Sequence, residues 1–293
     1  MKPITIFSLT ILLASASCRN GENNPDAYGN FEANEVIVSA RSQGEICSFE
    51  PLEGTALKKG ELVAVIDSTQ LHLNLRQLKS GRASLRSRLV TLEAQMKAQK
   101  VQLDNLEREA ARLEKLLKGG AATEKQMEDI RGQIELVKAR AEATESQKLS
   151  VYAEQDNLEI RILQAEDLIG HCLVTSPVDG VLLTKYRERG EVAAAGYPLF
   201  KVAPMEELIL RAYISGSQLS QVTIGSAVRV MIDGREGLEE LKGEVSWISP
   251  RAEFTPKVIQ TREERVSLVY AIKVVVPNDG RLKIGMPGEV FFR

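Results

Sequence analysis

The side chains equipped for chemistry in this 293-residue chain are few: the cysteines Cys18, Cys47 and Cys172 and the histidines His72 and His171. Two imidazoles and a thiol ligate zinc or copper when a fold converges them. His72, His171 and Cys172 are the candidates, because a chain doubling back about Gly120 brings the first of them beside the other two. The simpler account is two helix-end histidines and a buried free thiol, so no metal is assigned. A disulfide between Cys47 and Cys172 suits an oxidising compartment, provided their Cβ atoms lie within reach. The chain has no phosphate-binding glycine loop, no paired-cysteine motif and no nucleophile beside a plausible base. The expectation is a protein that is not an enzyme and carries no cofactor. With 38 basic and 40 acidic residues, net charge −2, it also lacks the electrostatic footprint of a nucleic-acid binder.

What positions these residues is the stretch 68–169. Alternating steps of four and three from Leu71 land on Leu75, Leu78, Leu85, Leu89, Leu92, Met96, Leu103, Leu106, Ala110, Leu113 and Leu117, with Arg82 and Gln99 as exceptions. A second seam runs from Met127 through Ile130, Ile134, Val137, Ala141, Val151, Leu158, Ile162 and Ala165 to Ile169, interrupted at Thr144, Lys148 and Gln155. Two seven-residue repeats joined by Lys118-Gly119-Gly120-Ala121-Ala122 predict an antiparallel coiled-coil hairpin, each arm on the order of 70 Å long at ~1.5 Å per residue. Asp67 or Ser68 caps the first helix, with Gln70 as a capping-box partner. Gly119 or Gly120 ends it in a left-handed conformation, Thr123 with Gln126 starts the return helix, and Gly170 closes that helix.

The flanks of the hairpin repeat each other. Gly44, Gly54 and Gly60 align with Gly180, Gly190 and Gly196 without a gap, and Leu62–Ile66 aligns with Pro198–Val202. Each half alternates β-branched runs with glycine turns, so each should be a small set of strands. Beyond them, alternation at 208–214, 228–232, 243–248, 268–276 and 289–292 predicts five or six strands, with a helical segment near 217–222, in a small antiparallel barrel.

The glycines at matched offsets, following the turn Ser176-Pro177-Val178-Asp179-Gly180-Val181, resemble the two halves of a biotinyl/lipoyl-type sandwich. A carrier domain displays a modified lysine on the turn between its halves; here Asp67-Ser68-Thr69-Gln70 offers none, which argues against a biotin or lipoyl carrier subunit. Half-lipoyl, helical hairpin, half-lipoyl and β-barrel together resemble the periplasmic adaptor, or membrane fusion, proteins of the HlyD-like family over residues 35–293. The resemblance implies an elongated α+β fold: a split lipoyl-like β-sandwich with an inserted long antiparallel coiled-coil α-hairpin, followed by a small antiparallel β-barrel. It implies a homo-oligomeric ring linking an inner-membrane exporter to a TolC-like outer-membrane channel in efflux or secretion. In such adaptors an Arg, Leu, Ser motif at the tip is linked to channel docking, and Arg112, Leu116 and Thr123 fall at its offsets, with Thr in place of Ser. Residues 254–265 resemble a stretch of adaptors encoded with ABC-type exporters, and the chain ends where adaptors of proton-driven pumps usually continue into a further domain. Both favour an ABC permease as partner. The rivals are an adaptor of a proton-driven pump and, in different classes, a biotin or lipoyl carrier subunit and a coiled-coil structural spacer.

The N-terminal stretch fits this setting. Lys2, the apolar run 4–14 and the small residues 15–17 before Cys18 form a secretory signal peptide. A cysteine after small residues resembles the lipobox of bacterial lipoproteins, although Ser15 stands where leucine is usual. Cys18 is therefore expected to be acylated, tying a periplasmic protein to the inner membrane. The expected organisation is signal peptide 1–18, flexible tether 19–34, lipoyl-like half one 35–67, hairpin 68–169, lipoyl-like half two 170–204 and barrel 205–293.

Overall fold

A computed structural model describes residues 25–234, 237–254 and 268–292 and divides them into two units. One comprises residues 35–204, the other residues 25–34 together with the chain from 205 onward. The expected signal peptide 1–18, with Cys18, and residues 255–265 of the stretch likened to ABC-associated adaptors lie outside the described residues.

The first unit runs β2 (Val36–Ser39), β3 (Gly44–Phe49), β4 (Ala56–Leu57), β5 (Leu62–Ile66), α1 (Thr69–Lys118), α2 (Glu124–Gly170), β6 (Leu173–Thr175), β7 (Gly180–Lys185), β8 (Val192–Ala193) and β9 (Pro198–Ala203). Its strands form two four-stranded sheets, β2-β9-β7-β4 and β6-β5-β3-β8. Each sheet takes two strands from before the hairpin and two from after it. The repeat read from the glycines is thus a pseudo-two-fold: β2 corresponds to β6, β3 to β7, β4 to β8 and β5 to β9. Its hydrogen bonds are reciprocal. Gly54 N–H donates to Leu182 O at 2.7 Å, and Gly190 N–H donates to Ile46 O at 2.9 Å. Gly60 N–H donates to Ser176 O, and Gly196 N–H to Ala40 O, both at 2.8 Å. These four glycines have φ between 83° and 88°, a region side chains avoid, which is why they recur at matched offsets. Between the sheets lie Ile46, Leu57, Ile66, Cys172, Leu182, Leu199 and Val202, with the Phe49 and Phe200 rings edge to face at 5.9 Å.

The hairpin departs from the sandwich at its turn. Ile66 N–H donates to Cys172 O at 2.9 Å, so the two ends of the insertion are held by a single step of sheet. Leu75 and Leu78 pack with Ile162 and Ala165, and Leu89 and Leu92 pack with Val151. The interruptions in the seam are accommodated by polar contacts. Arg82 pairs with Glu159 at 3.4 Å, and Gln99 Nε2 donates to Thr144 Oγ1 at 2.9 Å.

At the base of the hairpin the structure chooses between the two expected caps of α1. Ser68 occupies the N-cap of α1 without a side-chain bond. Asp67 instead accepts from Thr69 N–H at 2.9 Å and from Thr69 Oγ1 at 2.6 Å, bonds that hold its carboxyl below the usual carboxylate range. Gly170 is the last helical residue of α2, closing the helix as expected. His171 caps the helix in right-handed geometry, and Cys172 N–H donates to Ile169 O as the chain enters β6.

In the second unit β1 (Ala27–Glu32), β10 (Glu207–Ser215), β11 (Ala227–Asp233), β12 (Leu238–Ile248), β14 (Leu268–Pro277) and β15 (Pro287–Phe291) close into a six-stranded antiparallel barrel, ordered β10-β1-β15-β11-β12-β14 and sealed by β14 against β10. The short β13 (Glu253–Phe254) adds to β14, and a 3₁₀ turn spans Leu219–Gln221. The expected tether 19–34 is corrected here, because Ala27–Glu32 is a barrel strand between β10 and β15. Its inward residues are Ala27, Gly29 and Phe31. Gly29 lies so close to β10 that a Cβ there would stand 2.0 Å from Arg211 O. Phe31, Leu210, Val230, Val245, Val274 and Val290 fill the barrel.

Candidate functional site

The far end of the hairpin is built by two linked capping motifs. After Lys118, Gly119 caps α1 and Gly120 turns left-handed at φ 73°. Ala121 N–H donates to Leu116 O at 2.8 Å and Gly120 N–H to Leu117 O at 3.0 Å, the pair of bonds that defines a Schellman stop. Three residues later the expected capping box closes. Gln126 N–H donates to Thr123 Oγ1 at 3.3 Å while Thr123 N–H donates to Gln126 Oε1 at 2.9 Å. The tip is therefore a turn closed by backbone and capping hydrogen bonds.

Leu116 is 41% exposed, whereas its neighbour Leu117, a seam residue, is half-buried. Arg112 lies one turn before Leu116 on the same face and is exposed. Its guanidinium pairs with Glu109 at 3.1 Å, a partner the sequence did not single out. Side chains 72% and 47% exposed make this a weak pair that can exchange for another acceptor. Thr123 is exposed, and its hydroxyl also donates to Gln126 at 3.1 Å. Nearby, a hydrogen bond from Lys118 at 2.9 Å holds the Glu114 carboxyl below the usual carboxylate range. The three sequence candidates thus border one hydrogen-bonded turn: Arg112 and Leu116 on its entry, Thr123 on its exit.

The set considered for metal is not assembled. His72 is exposed on the first turn of α1, His171 pairs with Asp167 at 3.4 Å, and Cys172 is buried and donates to Ser42 Oγ at 3.3 Å. Among the described residues no group of His, Cys, Asp and Glu is arranged to hold a metal ion. Cys47 and Cys172 are both free thiols, one exposed and one buried, so the disulfide does not form. Among the described residues no helix is long and apolar enough to cross a membrane.

A split lipoyl-like sandwich interrupted by a long hairpin, with a barrel closing the order, is the fold of the periplasmic adaptor, or membrane fusion, proteins. No protein-family model matches the chain. Among solved structures it is similar to MacA from Actinobacillus actinomycetemcomitans, 23% identical with a TM-score of 0.60 over 91% of this chain and 78% of that one. It is also similar to the periplasmic adaptor protein EmrA, 18% identical with a TM-score of 0.52 over 91% of this chain and 97% of that one. Among protein sequences, a UPF0194 membrane protein of Citrobacter koseri is 26% identical across 100% of this chain and 98% of the relative.

Proposed function

We propose that this chain is a periplasmic adaptor subunit that joins an inner-membrane exporter to a TolC-like outer-membrane channel through its hairpin tip. The observation that carries the reading is Leu116, an exposed apolar side chain on a turn locked by a Schellman stop and a capping box. An exposed apolar knob at the end of a long hairpin suits a partner that meets the hairpin end-on. Arg112 adds a polar contact beside it, and Thr123 keeps the hydroxyl of the docking motif. The shared fold of MacA and EmrA supports the reading at the level of architecture.

In this reading copies of the chain stand side by side as a ring. They transmit and seal, and they carry out no covalent chemistry. The likeness of residues 254–265 to adaptors encoded with ABC exporters favours an ABC permease as the inner-membrane partner. Acylation of Cys18 anchors the protein to that membrane; Cys18→Ala is expected to release it into the soluble periplasmic fraction. Retention of that variant on membranes after a high-salt wash overturns the anchor.

Paired substitutions test the tip. Leu116→Asp is expected to abolish export in a complemented deletion strain while helix content and melting temperature stay unchanged. Leu117→Asp places a charge in the seam and lowers stability by about 2 kcal/mol or more. Arg112→Asp reproduces the Leu116 defect, and Thr123→Ser is tolerated. Normal export by a folded Leu116→Asp protein removes tip docking from the account.

A further inference from the structure

The chain enters the barrel at one rim, and that entry is pinned. Asp26 N–H donates to Val290 O at 2.9 Å, Gln218 Nε2 donates to Asp26 O at 2.7 Å, and Phe292 N–H donates to the Asp26 carboxylate at 2.9 Å. Two residues before the Tyr28–Tyr213 pair, Asp26 is level with Ser215 on β10. Ser215 pairs with Val269 on β14, and Val269 pairs with Glu253 on β13. Four strands thus lie side by side at this rim, and at ~4.8 Å from strand to strand the entry is within about 15 Å of β13.

The same rim carries an apolar pair. Phe254 and Leu268 are cross-strand partners, 71% and 59% exposed. Among the described residues neither belongs to the apolar cluster of the barrel or to the side chains packed against it. Leu268 lies one residue past the last β10–β14 pair, and β12 has already ended at Ile248 opposite Ile272, so the two side chains stand clear of the barrel wall.

The charge beside the pair has the sign that a phosphate surface attracts. Glu253 is taken up by Arg211 at 2.9 Å. Arg251, exposed in the turn before β13, pairs with no carboxylate among the described residues. Apolar side chains next to a free cation suit the boundary between lipid headgroups and acyl chains.

The length of chain before the barrel says which surface is at hand. Residues 19–25 are seven, and even fully extended they reach at most about 25 Å. A lipid on Cys18 therefore holds this rim close to a bilayer. We infer that Phe254 and Leu268 enter the interfacial layer of the membrane that carries the anchor, with Arg251 at the phosphates. The occupant is the lipid surface. Acyl chains alone leave the barrel free to turn about its attachment, and a second contact fixes which rim faces the membrane. The inference rests on the acylation of Cys18 in the proposed function.

The test uses the full chain, purified from membranes, with Trp247→Phe and Phe254→Trp, so that position 254 carries the one fluorophore. It is reconstituted into vesicles of phosphatidylethanolamine and phosphatidylglycerol, with ordinary or acyl-brominated lipids. Bromine is expected to remove at least about half of the emission from position 254. A control with Trp247→Phe and Leu238→Trp, at the opposite rim, keeps its emission. Adding Leu268→Asp to the first protein restores the emission with an unchanged circular dichroism spectrum. No quenching at 254, equal quenching at 238, or full quenching with Leu268→Asp each overturns the contact. Loss of export by Leu268→Asp while position 254 stays unquenched in protein-free vesicles gives the pair to a protein partner and also overturns it. Mass spectrometry of the amino-terminal peptide separates the two readings. Acylated Cys18 with unquenched 254 sinks the lipid contact alone, whereas quenching of a chain whose Cys18 is unmodified sinks the anchor and leaves the contact standing.

Discussion

The polar layer in the middle of the hairpin should reverse the sign of a mutation when its two members are replaced together. Gln99 Nε2 donates to Thr144 Oγ1 at 2.9 Å and Thr144 Oγ1 donates to Arg140 O at 2.9 Å, while Gln99 Oε1 is buried with no partner. Thr144→Val keeps the shape and removes the acceptor. Leaving the Gln99 amide without its main contact costs about 1 to 3 kcal/mol, and the methyl that replaces the hydroxyl returns about 1 kcal/mol. The single variant is expected to be less stable by about 1 kcal/mol. Gln99→Leu added to it removes the orphaned oxygen and the orphaned amide together, so the double variant is expected to exceed the wild type by about 1 to 2 kcal/mol. Urea denaturation followed by helix circular dichroism measures both. Additive losses, with the double variant weaker than Thr144→Val, would refute the account. The layer's use is then register, since an all-apolar seam has equivalent alternatives one heptad away and a single polar pair does not.

At the tip, Thr123→Ala removes one half of the capping box and should cost about 1 kcal/mol, read in the same denaturation, while Thr123→Ser stays close to wild type. In the barrel, Gly29→Ala drives a Cβ to within 2.0 Å of Arg211 O, and with backbone unable to yield it should cost more than about 3 kcal/mol. The single tryptophan, Trp247 on β12, reports that loss by fluorescence. Gly54→Ala meets open space but a φ of 88°, so its cost is expected near 1 kcal/mol.

The hairpin was legible because its information is local and redundant. Many apolar residues in a seven-residue repeat, two glycines and a Thr-x-x-Gln box all name the same turn. The sandwich was legible through glycines that need positive φ, since few other residues can take their place. Strand β1 was not legible. Ala27, Gly29 and Phe31 face inward, but alanine and glycine carry little strand signal, and the partners of β1 on β10 and β15 lie far along the chain. Gly29 is there for a close approach that no local pattern reveals. The histidine set shows a different limit. Folding about Gly120 gives the height of His72 and His171, but His72 follows the seam residue Leu71 by one position and His171 follows Ile169 by two, so they leave the axis on different sides. Periodicity fixes height more firmly than direction, and a metal site needs both.

The insertion itself invites a last prediction, because the sandwich contains what it needs without the hairpin. Its core is drawn from strands of both halves, and Leu71 is the hairpin side chain packed against it. Val65 already pairs with Leu173, and Ile66 N–H already meets Cys172 O at 2.9 Å, so residues 68–170 leave and re-enter at the positions a tight turn would join. Replacing 68–170 by Asn-Gly should leave the sandwich folded, at a cost of about 1 kcal/mol for the lost Leu71 contact. A folded hairpin holds those ends together just as a turn does. An unfolded one leaves a loop of about 100 residues, whose closure costs roughly 3 kcal/mol more than a two-residue turn. A seam-breaking change such as Leu89→Asp should therefore weaken the sandwich in the intact chain, although Leu89 lies many turns away from it. Amide dispersion in NMR spectra and urea midpoints of the two proteins measure this. If the excised chain fails to fold while Leu89→Asp leaves the sandwich midpoint unchanged, the hairpin is part of the sandwich's core rather than an insertion into its turn.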